Sequence, residues 1–198
     1  MTVTKAVESL EGVMSRYAWR DDPNSIRAKS CGACYEYYFT YAQQFRPAVV
    51  VEIGVQRGYS AIAFLLGYPE IKRLYLFDND ADGYPLAEAV RQIERAKADL
   101  GSATELVPVL LDTQSVGALP IPVPVNLAHV DGRHTREAAS HDLGLVAPLI
   151  APGGRIVMDD LWHTGVLEAA RVFAHEYADW QHTTIPAHTT HQLSTRPR

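Results

Sequence analysis

Cysteine is scarce in this sequence: two in 198 residues, too few for a disulfide framework. The opening stretch Met-Thr-Val-Thr-Lys-Ala-Val-Glu-Ser-Leu-Glu lacks a basic region followed by an apolar core, so no signal peptide is expected. Together these absences predict a reducing, cytoplasmic setting. No apolar run approaches the roughly 20 residues of a membrane span. Basic side chains are outnumbered, 18 Lys and Arg against 23 Asp and Glu, for a net charge of -5. That balance argues against nucleic acid or an anionic membrane as partner. There is no internal repeat, no low-complexity tract and no composition break marking a second domain. Residues 1–198 therefore read as a single domain, long enough to bury a sizeable core, and a homodimer is compatible with it. The pair Cys31-Gly-Ala-Cys34 has no second pair to complete a zinc site and follows no strand. It reads as small residues on the core-facing stripe of a helix.

What the chain does have is concentrated in residues 49–64. The β-branched run from Val49 to Ile53 predicts a buried parallel strand. The strand ends in Gly54-Val-Gln-Arg-Gly58, and Ser60 opens an apolar helical stretch. Strand, glycine turn and helix start make a nucleotide site, because glycines let a ligand approach the backbone. Free N–H groups at the helix start attract a carboxylate or phosphate. Gln56 sits where the dinucleotide pattern G-x-G-x-x-G needs its second glycine. The pattern from Glu52 to Ser60 is instead E-x-G-x-x-x-G-x-S, with a purely structural βα turn as the other reading.

Further strands alternate with helices. Residues 74–77 form a strand ending at Asp78, a carboxylate suited to accept hydrogen bonds from both ribose hydroxyls. Asp80 and Asp82 lie close by. A helix starts with Pro85 at N1 and stops at Gly101. Residues 106–111 are the third strand, followed by Asp112-Thr113-Gln114, which either meet an adenine edge or cap a short helix. Residues 125–130 are the fourth, ending at Asp131. A helix runs from Thr135 to about Ile150, broken by Ala151-Pro-Gly-Gly154. Residues 155–158 lead into Asp159-Asp160, and a helix covers 165–178. Residues 181–185 and 190–195 predict a closing antiparallel hairpin, with His182, His188 and His191 as solvated strand residues.

The first 46 residues read as helices: a short one marked by Val3, Val7, Leu10, Val13 and Met14, and another over about 25–45 after a turn at 21–24. They form a cap on the substrate side. Tyr17, Trp19, Tyr37 and Tyr38 either line the pocket or pack in the core. The class expected is α/β: a Rossmann-like, mostly parallel sheet with a C-terminal antiparallel hairpin and helices on both faces. Its functional edge lies at the strands' carboxyl ends.

On that edge the fourth and fifth strand ends are neighbours, so Asp131, Asp159 and Asp160 converge. Crowded carboxylates raise one another's pKa values, and a hard divalent cation removes the conflict. All-oxygen ligation suits Mg²⁺, with Mn²⁺ or Ca²⁺ as variants. The competing reading of a strand-end acid is a helix cap.

The motifs Glu52-x-Gly54-x-x-x-Gly58-Tyr59-Ser60, Asp78, Asp112-Thr113-Gln114, Asp131-Gly-Arg-His134 and Pro152-Gly-Gly-Arg-Ile-Val-Met-Asp159-Asp160 occur in this order. In that combination the chain resembles the metal-dependent class I O-methyltransferases over residues 49–161. It is most similar to the small-molecule enzymes of antibiotic tailoring and more distantly to catechol O-methyltransferase. The resemblance implies that Glu52, Gly54, Gly58, Tyr59 and Ser60 build the turn holding the amino-acid end of S-adenosylmethionine (SAM). Asp78 would take the ribose, Asp112, Thr113 and Gln114 the adenine, and Asp131 would border the cofactor. Asp131, Asp159 and Asp160 would be metal ligands. His134 stands where catechol enzymes carry a lysine base and where the tailoring group has the His of Asp-Gly-Asp-His; Arg133 departs from that motif. Catechol enzymes also end the metal pair with Asn, where this chain has Asp160.

The activity implied is transfer of the SAM methyl group to a hydroxyl of a small molecule: a phenol, catechol or sugar, in natural-product tailoring. Asp131 would anchor the metal that acidifies the hydroxyl, and His134 would take its proton. Packing against Asp131 or Glu137 is the other role open to His134, and His141 and His163 are substitutes for the base. Two other classes remain: a metal-independent methyltransferase, or a SAM-site protein with a non-methylating activity. A nicotinamide-linked reductase would need a glycine at position 56 and a Tyr-x-x-x-Lys proton donor, which the sequence does not contain.

Overall fold

The computed structural model describes residues 9–19, 29–185 and 191–198, without the side chains of 29–34 and 191. Val3, Val7, the expected turn at 21–24, the start of the second helix at 25–28 and His188 lie outside the described residues. So do the side chains of Cys31, Cys34 and His191.

The strands are β1 (Val49–Ile53), β2 (Arg73–Asp78), β3 (Glu105–Leu110), β4 (Val125–Val130), β5 (Ile150–Met158), β6 (Gln181–Ile185) and β7 (His191–Thr195). They form one sheet in the order β3-β2-β1-β4-β5-β7-β6. The first five are parallel; β7 pairs antiparallel with β5, and β6 with β7. This is the expected Rossmann-like sheet with its closing hairpin. The strand order reverses between β1 and β4, and a crevice opens at such a switch point. Central β1 and β4 are buried almost throughout, as β-branched and aliphatic runs between two helical layers should be. The edge strand β3 tolerates Pro108, because an edge needs only one ladder of hydrogen bonds.

The helices are α1 (Leu10–Met14), α2 (Lys29–Phe45), α3 (Tyr59–Gly67), α4 (Leu86–Asp99), α5 (Arg136–Val146) and α6 (Thr164–Glu176). The two-residue period of the strands feeds two cores. Val50, Leu74 and Leu127 point to one face, with Tyr38, Ile62, Phe64 and Ile93 of α2, α3 and α4. Val51, Phe77 and Ala128 point to the other, with Leu143 of α5 and Ala170 and Phe173 of α6. Helix α3 is buried on all sides from Tyr59 to Leu65, as its unbroken apolar sequence requires. Gly67 lets its end lie against the backbone of α2: a Cβ there would stand 2.1 Å from the Phe39 carbonyl oxygen.

Several boundaries differ from the sequence reading. Pro85 is the N-cap of α4, one position before the expected N1. Helix α5 begins after Thr135, whose hydroxyl accepts from the Ala138 amide, and ends at Val146 rather than near Ile150. A 3₁₀ turn over Ala147–Leu149 follows, and β5 starts at Ile150. Ala151-Pro-Gly-Gly154 therefore belongs to a strand instead of breaking a helix. The irregularity it causes is absorbed as a bulge, with Val125 opposite Ile150 but Leu127 opposite Arg155.

Candidate active site

A cavity of about 580 Å³ opens at the carboxyl ends of β1, β2, β4 and β5, within the range of small-molecule sites. Gly54, Tyr59, Ser60, Asp78, Asp112, Thr113, Gln114, Asp131, His134, Asp159 and Asp160 border it, with Tyr35 and Tyr38 of α2. Glu52 and Gly58 are not among the bordering residues and support the glycine turn from behind.

At one end, Gly54 has φ 84°, and a Cβ on it would lie 1.9 Å from the Asp131 carbonyl oxygen. Any side chain there would drive β1 and β4 apart at the cleft floor. Asp78 Oδ2 accepts from the Val55 and Gln56 amides, both at 2.8 Å, and its Oδ1 accepts from the Asp80 amide at 2.8 Å. The carboxylate thus clamps the turn, while Asp80 Oδ1 accepts from the Leu86 amide at the start of α4. Helix α3 begins after Gly58 with no side chain capping it. The first N–H groups of a helix without a side-chain cap can donate to an anion. Ser60 donates to Glu52, and Tyr59 accepts from the Trp19 amide at 3.0 Å. The Trp19 indole donates to the Arg57 carbonyl at 3.1 Å. Tyr17, in contrast, is buried in the core, with its hydroxyl on Asp99.

Along one wall, Asp112 caps the turn Thr113–Ser115 through the Gln114 amide. Thr113 and Gln114 direct their side chains to Asp142 Oδ1, at 2.7 and 3.0 Å. Asp142 is buried on α5, its second oxygen without a hydrogen-bond partner among the described residues, and burial pushes its carboxyl up. His141 Nε2 is spent on the Thr113 and Val116 carbonyls, both at 3.0 Å. Arg133 reaches Asp112 Oδ2 at 3.2 Å, so the residue that departs from the family motif ties the two loops together.

The acids gather at the other end. His134 Nε2 lies 3.5 Å from Asp131 Oδ1 and 3.2 Å from Asp160 Oδ2. Tyr38 donates to Asp159 Oδ2, and the Trp162 indole donates to Asp160 Oδ1 at 2.8 Å. Burial pushes the Asp131 carboxyl up to about 7; His134 pulls it back, and Asp159 and Asp160 add to the rise. The hydrogen bond to Asp131 raises His134, helped by the charges of Asp160 and Asp159. Among the described residues, potential ligand atoms fall into two groups, each within 4.8 Å: His129, Asp131 and Asp159 inside, and His134, Asp160 and His163 outside. The expected three acids are therefore divided between an inner and an outer set.

His129 was not legible as a site residue. It is fully buried on β4, in register with Glu52 on β1, and its Nδ1 lies 3.2 Å from Glu52 Oε1. Burial alone would lower its pKa, but the hydrogen bond and charge of Glu52, with Asp131 and Asp159, raise it. Its Nε2 has no hydrogen-bond partner among the described residues and stands 4.0 Å from Asp159 Oδ2. Polar residues at matching positions of two otherwise apolar strands were the available signal.

A family model described as a methyltransferase domain matches residues 51–161. No curated protein matches the sequence. Among solved structures, the chain is similar to the O-methyltransferase TomG from Streptomyces achromogenes, involved in tomaymycin synthesis and solved in complex with SAM. It is 16% identical with a TM-score of 0.65, covering 98% of this chain and 93% of that one. An O-methyltransferase from Bacillus cereus in complex with SAH is 17% identical with a TM-score of 0.66, over the same shares of each chain. At such identities the likeness shows the fold. No helix among the described residues is long and apolar enough to cross a membrane.

Proposed function

The chain belongs to the methyltransferase-domain family, and from that premise we propose that it moves the methyl group of SAM to a hydroxyl of a small molecule. The acceptor is a phenol, catechol or sugar of the natural-product type, and a divalent cation, Mg²⁺, assists. The observation that carries this reading is the pairing of His134 with Asp131 and Asp160 in the same cleft as a glycine turn and a bare helix start. The amino-acid end of SAM goes to the start of α3, the ribose to free lone pairs of Asp78, and the adenine to the turn at Asp112–Gln114. Helix α2 acts as the cap, with Tyr38 reaching from it to Asp159.

The donor set fits a hard cation. Burial and the neighbouring Asp159 and Asp160 raise the Asp131 carboxyl to about 7, and a bound positive charge would favour its ionised form. Asp131 and Asp159 of the inner set would hold it, joined by Asp160 turning in from the outer set, and when bound it would lower the pKa of the acceptor hydroxyl. His134 takes the hydroxyl proton on Nε2. The acceptor oxygen then forms its bond to the methyl carbon as the carbon–sulfur bond breaks, and the sulfonium leaves as a neutral thioether. Alignment in a closed cleft supplies much of the rate. A metal-independent transfer is the second reading, favoured by the protein donors that Asp159 and Asp160 already have.

Titration calorimetry of SAM and of its demethylated product, with Mg²⁺ and with EDTA, tests the reading. Binding of both is expected, tighter with Mg²⁺. No binding of either compound would refute it.

A further inference from the structure

We propose that His134, Asp160 and His163 form a second cation site on the outer lip of the cleft, selective for Zn²⁺, whose occupation switches methyl transfer off. The switch rests on the reading of His134 as the base; the site does not.

The three side chains come from two loops, one leading into α5 and one into α6, and their ligand atoms lie within 4.8 Å of one another. The rings of His134 and His163 stack with centroids 4.3 Å apart at 27°. His134 Nε2 is already 3.2 Å from Asp160 Oδ2. The Trp162 indole holds the other Asp160 oxygen, at 2.8 Å, and its ring covers His163 with centroids 3.6 Å apart. Asp160 is thereby oriented with one oxygen toward the histidines. His163 occupies the N-cap position of α6 but makes no side-chain cap bond, so its ring has no structural task at the helix start.

Two imidazoles and one carboxylate suit Zn²⁺, whereas Mg²⁺ prefers oxygens and keeps its waters. Around zinc, with bonds of about 2.0–2.1 Å, donors stand roughly 3.3 Å apart. To reach that spacing the His134 and His163 rings turn out of their stack so that both in-plane lone pairs point at one ion. Zinc so bound takes the Nε2 lone pair that would accept the substrate proton. It also draws Asp160 away from the inner acids, so the inner site loses both a base and a ligand.

The test is Zn²⁺ calorimetry and Co²⁺ visible absorption on the full chain, comparing wild type with His163→Ala. His163→Gln, which keeps a polar side chain at the start of α6, is measured alongside, with melting curves to verify folding. Wild type should bind one Zn²⁺ and give a Co²⁺ spectrum of nitrogen ligation; both variants should bind Zn²⁺ roughly tenfold more weakly or worse. In methyl-transfer assays with saturating Mg²⁺, each protein is compared with its own rate without Zn²⁺: Zn²⁺ should stop the wild type and leave the rate of His163→Ala unchanged. Equal Zn²⁺ affinity in wild type and folded variants overturns the site. Zinc binding that depends on His163 but leaves wild-type turnover unchanged overturns the switch. A chain that transfers no methyl group under any condition overturns the activity reading and the switch together, while calorimetry still decides the site.

Discussion

Glu52 and His129 face each other in register on β1 and β4, fully buried, with Nδ1 3.2 Å from Oε1. Ser60 donates to the same Glu52 oxygen, and His129 Nε2 faces Asp159. One buried pair therefore joins the start of α3 to the acidic end of the cleft. A buried charge left without its partner is costly, so Glu52→Gln should lower stability by about 3 kcal/mol in denaturant unfolding. The sign with pH is fixed by the raised pKa of His129. Its stabilising contribution is complete below the unfolded value of 6.5 and fades as pH rises through the folded one. In Glu52→Gln that part of the pH dependence should flatten; an unchanged profile and unchanged stability would contradict the pairing.

Asp131 adds a second pH dependence. Burial raises it to about 7 from the ordinary 3.8, so between these values the folded protein holds a proton that the unfolded chain has released. Stability should therefore fall as pH rises from about 4 to about 7, and the raised His134 extends the fall beyond 6.5. A cation replaces that proton. Melting curves at pH 5 and pH 8 should show Mg²⁺ stabilising at pH 8 and doing little at pH 5. Equal effects at both pH values would separate the cation from these acids.

Asp78 has two tasks that can be measured apart. Asp78→Ala should weaken SAM binding by more than about 1.5 kcal/mol in calorimetry, from lost charge-assisted hydrogen bonds. It should also lower the melting temperature, because the Val55 and Gln56 amides lose their acceptor. A melting change with unaltered SAM affinity would confine Asp78 to clamping the turn.

For His134, substitution separates proton transfer from packing. His134→Gln should keep the fold and SAM affinity but reduce turnover roughly 10²-fold, with partial recovery at high pH as hydroxide replaces the imidazole. A pH–rate profile identical to that of wild type would remove His134 from the chemistry.

The sheet was legible because its central strands are buried on both faces and read as unbroken apolar runs from Val49 to Ile53 and near Val125 to Val130. The strand-end acids followed from alternation alone, since a parallel sheet puts successive carboxyl ends on one edge. The start of β5 was not legible: Pro152-Gly153-Gly154 reads as a helix breaker, and only pairing with β4 shows that it is a bulge. The partners of Asp142 and His129 were hidden for a related reason. Glu52 and His129 stand 77 positions apart and meet only through strand register. Thr113 and Gln114 carry the side chains expected to face adenine, yet both turn to Asp142, a helix residue with no local pattern to mark it.

The most direct measurement supplies methyl-labelled SAM to the wild-type protein with a panel of phenols, catechols and sugars, with Mg²⁺ and with EDTA, and identifies the labelled product by mass spectrometry. The result expected is label on an acceptor hydroxyl with Mg²⁺ and a sharp loss of product with EDTA. Tight SAM binding without label on any acceptor oxygen, or label on nitrogen or carbon instead, would contradict O-methyl transfer as the function of this cleft.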